Sequence, residues 1–405
     1  MSRRRASLQL AAGSVLSGVL AYVLFALVTR GLGADAAAPV SVLWTVWALA
    51  GAAFTFPLQH WITRCLTAGR AGDVRSSAGR VGAVVVAVSL AAGALAWAFR
   101  ERLFHRDDAW FPALVVLVVL GSAAVGVLRG GLAGRGRMTA VAWSLVAENA
   151  LRCVLVALLL LAQVHDPVAH GLCLVAGSLV AVWPGAWRFS GAGEAGAGSL
   201  SFLGGAATGQ LLAQGVLTGG AVVLALLGGS PAEVTAMFAT LALFRAPYMV
   251  VLGTLPQVTH HVTGLVVAGD RPALRSLAQR LAVLGLLVVA VGTTIGGTAG
   301  PALVRAVFGD TVDIGHADAA VIAGGCALAL VNVVLMVGAL ALDRPGRVAA
   351  AWGLALVPGA VVVLSTTGAP PLAGVAFAFL ASEVAATVLL AVVASSVLSG
   401  RRAPA

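Results

Sequence analysis

The chain contains no lysine: all 25 of its basic residues are arginine. Charge of either sign is scarce, at 10% of 405 residues, against about 25% in a soluble domain. That scarcity excludes an ordinary water-soluble fold. The four cysteines (Cys65, Cys153, Cys173 and Cys326) lie within or at the ends of apolar stretches and not at paired loop positions. Neither a disulfide framework nor a metal site follows from them. His260-His261 has no further ligand at metal-site spacing. There is no Walker loop and no Rossmann glycine fingerprint, so nucleotide-driven pumping by this chain is not expected. No metal and no cofactor is expected. Asp107-Asp108 sits in a short loop with no large domain after it and reads as a solvated acidic pair. No catalytic residue, and therefore no enzyme, is expected.

What is abundant is apolar. Hydrophobic residues make up 60% of the chain, and the mean hydropathy is +1.01. Apolar runs long enough to cross about 30 Å of hydrocarbon as a helix recur throughout. Twelve stand at 7–30, 39–63, 80–99, 109–129, 140–163, 168–188, 200–228, 232–264, 276–300, 317–342, 347–366 and 371–398. A membrane barrel has short alternating segments instead. The expected class is an all-α membrane protein.

The net charge of +10 does not point to nucleic acid, because its distribution follows the membrane. With the N-terminus placed inside, 18 arginines fall on cytoplasmic segments and five (Arg30, Arg100, Arg102, Arg106, Arg305) on the other side, while Arg152 and Arg245 lie within spans. This is the positive-inside pattern, and it predicts both termini in the cytoplasm and a multi-pass protein of the inner (plasma) membrane. The first apolar segment follows Arg3-Arg4-Arg5 but is longer than a signal h-region, so an uncleaved first helix is expected.

Two stretches read as worn copies of each other. Pro57-Leu58-Gln59-His60 leads through Gly72-Asp73 to Arg75 and Arg80; Pro256-Gln257 and His260 lead through Gly269-Asp270 to Arg275 and Arg280. Each is an apolar helix carrying a proline near its end, then an arginine-rich amphipathic bridge. The low-complexity segment Ser190 to Ser199 is the natural linker between halves. The expected organisation is an N-terminal six-helix lobe at 1–189, a linker at 190–199 and a C-terminal six-helix lobe at 200–405. Such a duplicated bundle is the signature of a transporter with its site between the halves.

Charges inside spans mark candidate function. Arg245 stands about a dozen residues into the eighth apolar segment, just before Pro247, which should bend the helix. It reads as a cationic anchor for an anionic substrate or as half of a structural ion pair. Glu148 and Arg152 are one helical turn apart, a mutually neutralising pair or an ion-coupling site. Glu383 has no local cation; it must be protonated, paired across helices or hydrated, and it is a candidate for proton or ion coupling. Thr55, Gln59 and Thr63 share one helical face, and Gln210, Gln214 and Thr218 another. These stripes either line a hydrated cavity or bond neighbouring helices. Fifty glycines suit close helix packing, though compositional bias alone produces them too. Trp44, Trp110 and Trp187 are expected at headgroup level.

Several segments together resemble the multidrug/oligosaccharidyl-lipid/polysaccharide (MOP) exporter superfamily in its Wzx-like polysaccharide-flippase branch. They are Ala11-Ala12-Gly13-Ser14-Val15-Leu16-Ser17-Gly18 with Thr29-Arg30-Gly31-Leu32-Gly33, the bridge from Leu128-Arg129-Gly130 to Arg137 before Glu148, Arg245-Ala246-Pro247 with Ala268-Gly269-Asp270, and Asp343-Arg344-Pro345. The resemblance implies two six-helix lobes, the 6+6 bundle of MATE-like transporters, around a cationic cavity. It also implies a polyprenyl-pyrophosphate-linked oligosaccharide as substrate, moved by alternating access for cell-surface polysaccharide synthesis. Membrane lipid, a coupling ion (H+ or Na+), and glycosyltransferases or a polymerase of the same pathway are the implied partners. In that setting Arg245 is the expected pyrophosphate contact, and Arg30 and Arg64 are approach and exit guides or ordinary snorkelling residues. The rival within the superfamily is a cation-coupled multidrug antiporter; outside it, a polyprenyl-sugar enzyme or a non-transporting scaffold. The additional C-terminal helices of lipid II flippases are not matched in this sequence, which speaks against lipid II itself as the substrate.

Overall fold

A computed structural model describes residues 3–183, 187, 189, 208, 210–248, 251, 265, 268, 270–340, 345–366, 368 and 370–395. All regular structure among them is helical. The linker at 190–199, the Pro256–His261 stretch and Asp343-Arg344 lie outside the described residues.

The chain opens with α1 (Arg3–Ala50), in reality two helices joined at Gly33, whose φ of 77° and ψ of 168° are not helical. Only glycine adopts that conformation without strain, so the first and second expected spans part at the Arg30-Gly31-Leu32-Gly33 exit. The second arm continues through a π-helical turn (Gly51–Thr55) into α2 (Phe56–Thr67). Pro57 has no N–H to give the carbonyl four residues back, and the ladder there shifts register: the Phe56 N–H reaches the Gly51 carbonyl. Next come α3 (Ala71–Ala98), α4 (Arg100–Phe104), α5 (Trp110–Gly134), α6 (Met138–Leu161) and α7 (Pro167–Ala176), the last extended by a 3-10 segment (Gly177–Val182). Later elements are α8 (Gly220–Leu226), α9 (Pro231–Phe244), α10 (Arg271–Phe308), α11 (His316–Leu340), α12 (Pro345–Ser365) and α13 (Pro371–Ser395). Eight helices among the described residues are long and apolar enough to cross a membrane. The chain is a multi-pass membrane protein.

Local chemistry starts the helices where it should. Asp166 accepts from the Val168 and Ala169 N–H groups ahead of Pro167, and Asp270 accepts from Ala273 ahead of Pro272. Ser230 and Glu233 form a reciprocal capping box at the start of α9, the Ser230 N–H donating to the glutamate and the Glu233 N–H to the serine hydroxyl.

Two compact units emerge. The first takes in Met1–Gln214 and Ala225–Thr235, the second Gly215–Leu224 and Ala236–Ala405. In the first, α1 lies along α6, and α2 and α3 pack on α5. In the second, α10 packs on α11, and α13 on both α11 and α12.

Small residues set these approaches. On α5, Gly126, Gly130 and Gly134 form one ridge against α2. A Cβ at Gly126 would stand 2.8 Å from the Thr55 carbonyl oxygen, and one at Gly134 would stand 2.6 Å from the Leu66 Cβ. On α10, a Cβ at Gly296 would stand 2.5 Å from that of Ala323 on α11. Glycine at these positions serves packing.

The tryptophans divide. Trp110 and Trp187 are exposed, but Trp44 is 4% exposed and lies edge-on to Phe25 at 5.7 Å. Trp44 is a core residue because the second arm of α1 runs back against the first.

Substituting Gly126 with alanine should force α2 off α5 and lower stability by about 1–3 kcal/mol, the usual cost of overpacking. Gly82→Ala, with nothing within 4 Å of the added methyl, should be neutral or stabilising. Thermal unfolding of the two variants in detergent reads the difference.

Candidate functional site

Among the described residues, each unit carries charge in its helical interior. In the first unit, Glu148 on α6 is bound by two arginines. Arg152, one turn along, donates to Oε1 at 2.7 Å, and Arg129 on α5 donates to Oε2 at 2.5 Å. Arg152 also donates through Nε to the Leu174 carbonyl of α7 at 2.9 Å and through Nη1 to Asn149 Oδ1 at 2.9 Å. The Asn149 amide donates in turn to the Ser17 hydroxyl at 2.9 Å and to its carbonyl at 3.0 Å, and the Ser17 hydroxyl donates to the Leu145 carbonyl. Arg129 Nε reaches the Ser144 hydroxyl at 3.3 Å. The Arg152 guanidinium lies 4.5 Å from the Trp47 ring centroid, within cation–π range, and Gly177 leaves room for it, since a Cβ there would stand 2.1 Å from Nε. All the charged members are buried. The cluster thus ties both arms of α1, α5, α6 and the α7 region around two cations and one anion.

The i,i+4 spacing of Glu148 and Arg152 was legible in the sequence. Arg129 was counted there among the cytoplasmic arginines, and the structure corrects this: it is 7% exposed and paired. Its position more than a turn before the end of α5, behind the Gly130-Gly131 pair, was the available signal. The Gly-Arg run that follows masked it.

In the second unit the buried acid is Glu383 on α13, with no exposed surface. Asn332 on α11 donates to its Oε2 at 2.7 Å and to its main-chain carbonyl at 3.0 Å. Glu383 Oε1, Asn332 Oδ1 and the indole Nε1 of Trp352 on α12 are buried and have no hydrogen-bond partner among the described residues. Such unsatisfied atoms are rare and costly in a dry interior. Asn332 and Trp352 were not singled out from sequence; a lone amide in an apolar run was the only hint of the first.

Arg245 also belongs to the second unit. The helix is interrupted there, directly after α9 and two residues before Pro247. Its N–H still reaches the Leu241 carbonyl, so the break lies in the carbonyls that Pro247 leaves without a donor. The side chain is half-buried, with its guanidinium 5.8 Å from the Phe238 ring centroid. The Cys326 thiol of α11, the helix that carries Asn332, reaches the Leu241 carbonyl, one turn before Arg245, at 4.0 Å, so α9 ends beside the helix that holds the partner of Glu383.

The other candidates are dispersed. Arg30 and Arg64 are exposed, while Gln59, Gln210 and Gln214 are half-buried. Thr55 donates to the Ser122 carbonyl at 2.8 Å and Thr63 to the Gly130 carbonyl at 3.5 Å. Those two members of the first polar stripe bond α5. In the acidic loop, Asp107 pairs with Arg100 and Asp108 with Arg106. No group of three or more His, Cys, Asp or Glu residues suited to a metal ion occurs among the described residues.

No protein-family model matches the chain, and no curated protein matches it in sequence. Solved structures do. A multidrug-resistance MATE-family transporter of the MOP superfamily, in an inward-facing conformation, superposes with a TM-score of 0.67 at 14% identity, covering 95% of this chain and 96% of that one. The chain has the fold of the MOP transporters. A MOP-superfamily transporter from Pyrococcus furiosus, whose binding pocket of reverse polarity suggests a different function for it, gives a TM-score of 0.61 at 12% identity over 99% and 98% of the two chains. The lipid II flippase MurJ, inward closed, gives 0.63 at 9% identity over 94% and 86%.

Glu148→Gln should strand two buried guanidinium groups. Breaking a buried pair typically costs about 3–5 kcal/mol, so the variant should lose most of its folded yield. The conservative Arg129→Lys, which keeps the charge, should be milder. Size-exclusion profiles and melting temperatures of detergent-purified protein distinguish the two.

Proposed function

We propose that the chain is a transporter that moves an anionic, lipid-linked oligosaccharide (a polyprenyl-pyrophosphate sugar) across the cytoplasmic membrane by alternating access. The arginine bias supports cytoplasmic termini. The observation that carries the substrate class is Arg245: a half-buried guanidinium at a helix break within an apolar segment. A cation at that depth costs about 2.5–3.5 kcal/mol on insertion scales and is expected where it has work to do. Guanidinium forks match phosphate oxygens in a way that no apolar or amide group does. The balance of interior charge supports the same sign. The buried or half-buried charges inside the apolar segments, among the described residues, are Arg129, Arg152 and Arg245, the last at the break after α9, against Glu148 and Glu383. A reverse-polarity pocket in the Pyrococcus protein is consistent with pocket charge separating functions on this fold.

Glu383, rather than Glu148, is the coupling acid in this reading. Both oxygens of Glu148 are held by arginine, whereas Glu383 Oε1 has no partner among the described residues. A proton there removes an uncompensated charge and turns an acceptor into a donor; a sodium ion would instead draw on the two unpartnered oxygens. The same acid favours the second reading, a cation-coupled multidrug antiporter.

Reconstitution in vesicles with a polyprenyl-pyrophosphate oligosaccharide and, separately, a cationic dye decides between them. Hydrogen bonds to charged groups contribute about 1.5–3 kcal/mol, so Arg245→Ala should slow oligosaccharide movement roughly ten- to a hundredfold, with Arg245→Lys retaining part of it. Unchanged oligosaccharide movement, or dye transport alone, would sink the first reading. Glu383→Gln should abolish accumulation driven by an imposed proton or sodium gradient while leaving downhill exchange in place. If gradient-driven accumulation persists, Glu383 is not the coupling acid.

A further inference from the structure

The arginine-rich starts of α3 and α10 carry a repeat for which the proposed transport cycle has no use. Arg75-Ser76-Ser77-Ala78-Gly79-Arg80 and Arg275-Ser276-Leu277-Ala278-Gln279-Arg280 agree at both arginines, the serine and the alanine, 200 positions apart. Each lies in the opening turns of a long apolar helix, with Asp73 in the first turn of α3 and Asp270 capping α10. The second arginine of each copy is exposed.

Helical spacing places Ala83, Val84 and Ala87 on the face headed by Arg80, and Val283, Leu284 and Leu287 on the face headed by Arg280. These apolar side chains are exposed as well: Val84 by 43%, and Val283, Leu284 and Leu287 by 70%, 54% and 57%. On α10, Gln279, Arg280, Val283, Leu284 and Leu287 line a groove of about 390 Å³. The opposite side of α10 carries Gly285, Gly292 and Gly296, which approach Val331, Ala327 and Ala323 of α11. The Arg280 face is therefore the side that the second unit's own packing does not use. On α3 the buried residues Val81, Val85 and Ser89 likewise lie away from the Arg80 face, with buried Ser77 at its edge.

An exposed apolar face on a membrane-spanning helix is covered by lipid. A guanidinium at the polar end of that face selects among lipids by charge, since a nearby arginine attracts an anionic headgroup while its stem lies on the acyl region. We infer that Arg80 and Arg280 head two equivalent sites for an anionic phospholipid, the headgroup phosphate on the guanidinium and an acyl chain along the apolar residues at i+3, i+4 and i+7. The occupant is a lipid and not a soluble phosphate, because on both helices the exposed side chains three, four and seven residues after the arginine are all apolar. The sites are independent of which substrate the protein moves.

Native mass spectrometry of the full chain in detergent, titrated with phosphatidylglycerol or phosphatidylcholine, tests this. Two phosphatidylglycerol adducts are expected at concentrations where phosphatidylcholine gives none. An anionic headgroup gains about fivefold in affinity per arginine, so Arg80→Gln and Arg280→Gln should each weaken one adduct by about that factor, and the double variant both. Arg305→Gln, at an exposed arginine in the last turn of α10, should leave both adducts unchanged. All three arginines are at exposed positions, and a monodisperse elution profile confirms that each of the four variants is folded. Equal binding of the two lipids, undiminished adducts in the double variant, or displacement of the lipid by glycerol phosphate would overturn the inference.

Discussion

The first unit depends on one ionic constraint: a single buried carboxylate shared by two guanidinium groups. Glu148 accepts from Arg152 and from Arg129, and the bonds radiating from these three residues reach four separate stretches of helix. In a medium without water, none of the three tolerates the loss of its partners, because an unpaired charge there costs several kcal/mol. The glycine ridges contribute in a different way. They bring backbones close and so let α2 lie on α5, but dispersion between small residues is tolerant of sliding. The ionic cluster is not. It fixes α1 through Ser17 and Asn149 and the α7 region through the Leu174 carbonyl at one set of distances. Helix association without a hydrophobic driving force thus acquires a register.

The second unit solves its interior polarity in the opposite manner. Glu383 has an amide partner and no counter-cation at hydrogen-bonding distance among the described residues, and three buried polar atoms in its helices stay unsatisfied. A fully satisfied cluster resists change; a half-satisfied one is a place where protonation or a small ion alters the energy of the fold at once. Two buried acids in one chain therefore carry opposite expectations. The saturated one holds structure, and the unsaturated one is suited to respond to an ion gradient.

Helical class, membrane location and most span positions were legible in the sequence because hydropathy and length are local properties, and each helix satisfies its own backbone whatever its neighbours. The break at Gly33 was legible for the same reason; the π-helical turn before Pro57 was not read from the sequence. What was not legible is what lies across helices. Spacing of four residues revealed Glu148–Arg152, but no rule of spacing connects Arg129 to Glu148, 19 positions away, or Asn332 to Glu383, 51 positions away. Trp44 misled in the same way: proximity to a predicted helix end suggests an interfacial ring, yet the turn at Gly33 returns it to Phe25.

The duplication is best seen in the light of these differences. The R-S-x-A-x-R starts of α3 and α10 keep their exposed arginines in both halves, as expected of a feature that answers to the membrane, which is the same for each. The interior charges are not duplicated. The stretch of the second span that corresponds to Arg245, around Thr45-Val46-Trp47, carries no charge. Instead, Trp47 lies against Arg152 and Thr45 donates to its own helix at Ser41. A ring that steadies a structural cation in one half occupies the place of a half-buried cation in the other. The surface of the repeat is held by the lipid environment and its interior is free to diverge. Divergence of that kind leaves one half with a saturated ionic cluster and the other with a half-buried cation at a helix break.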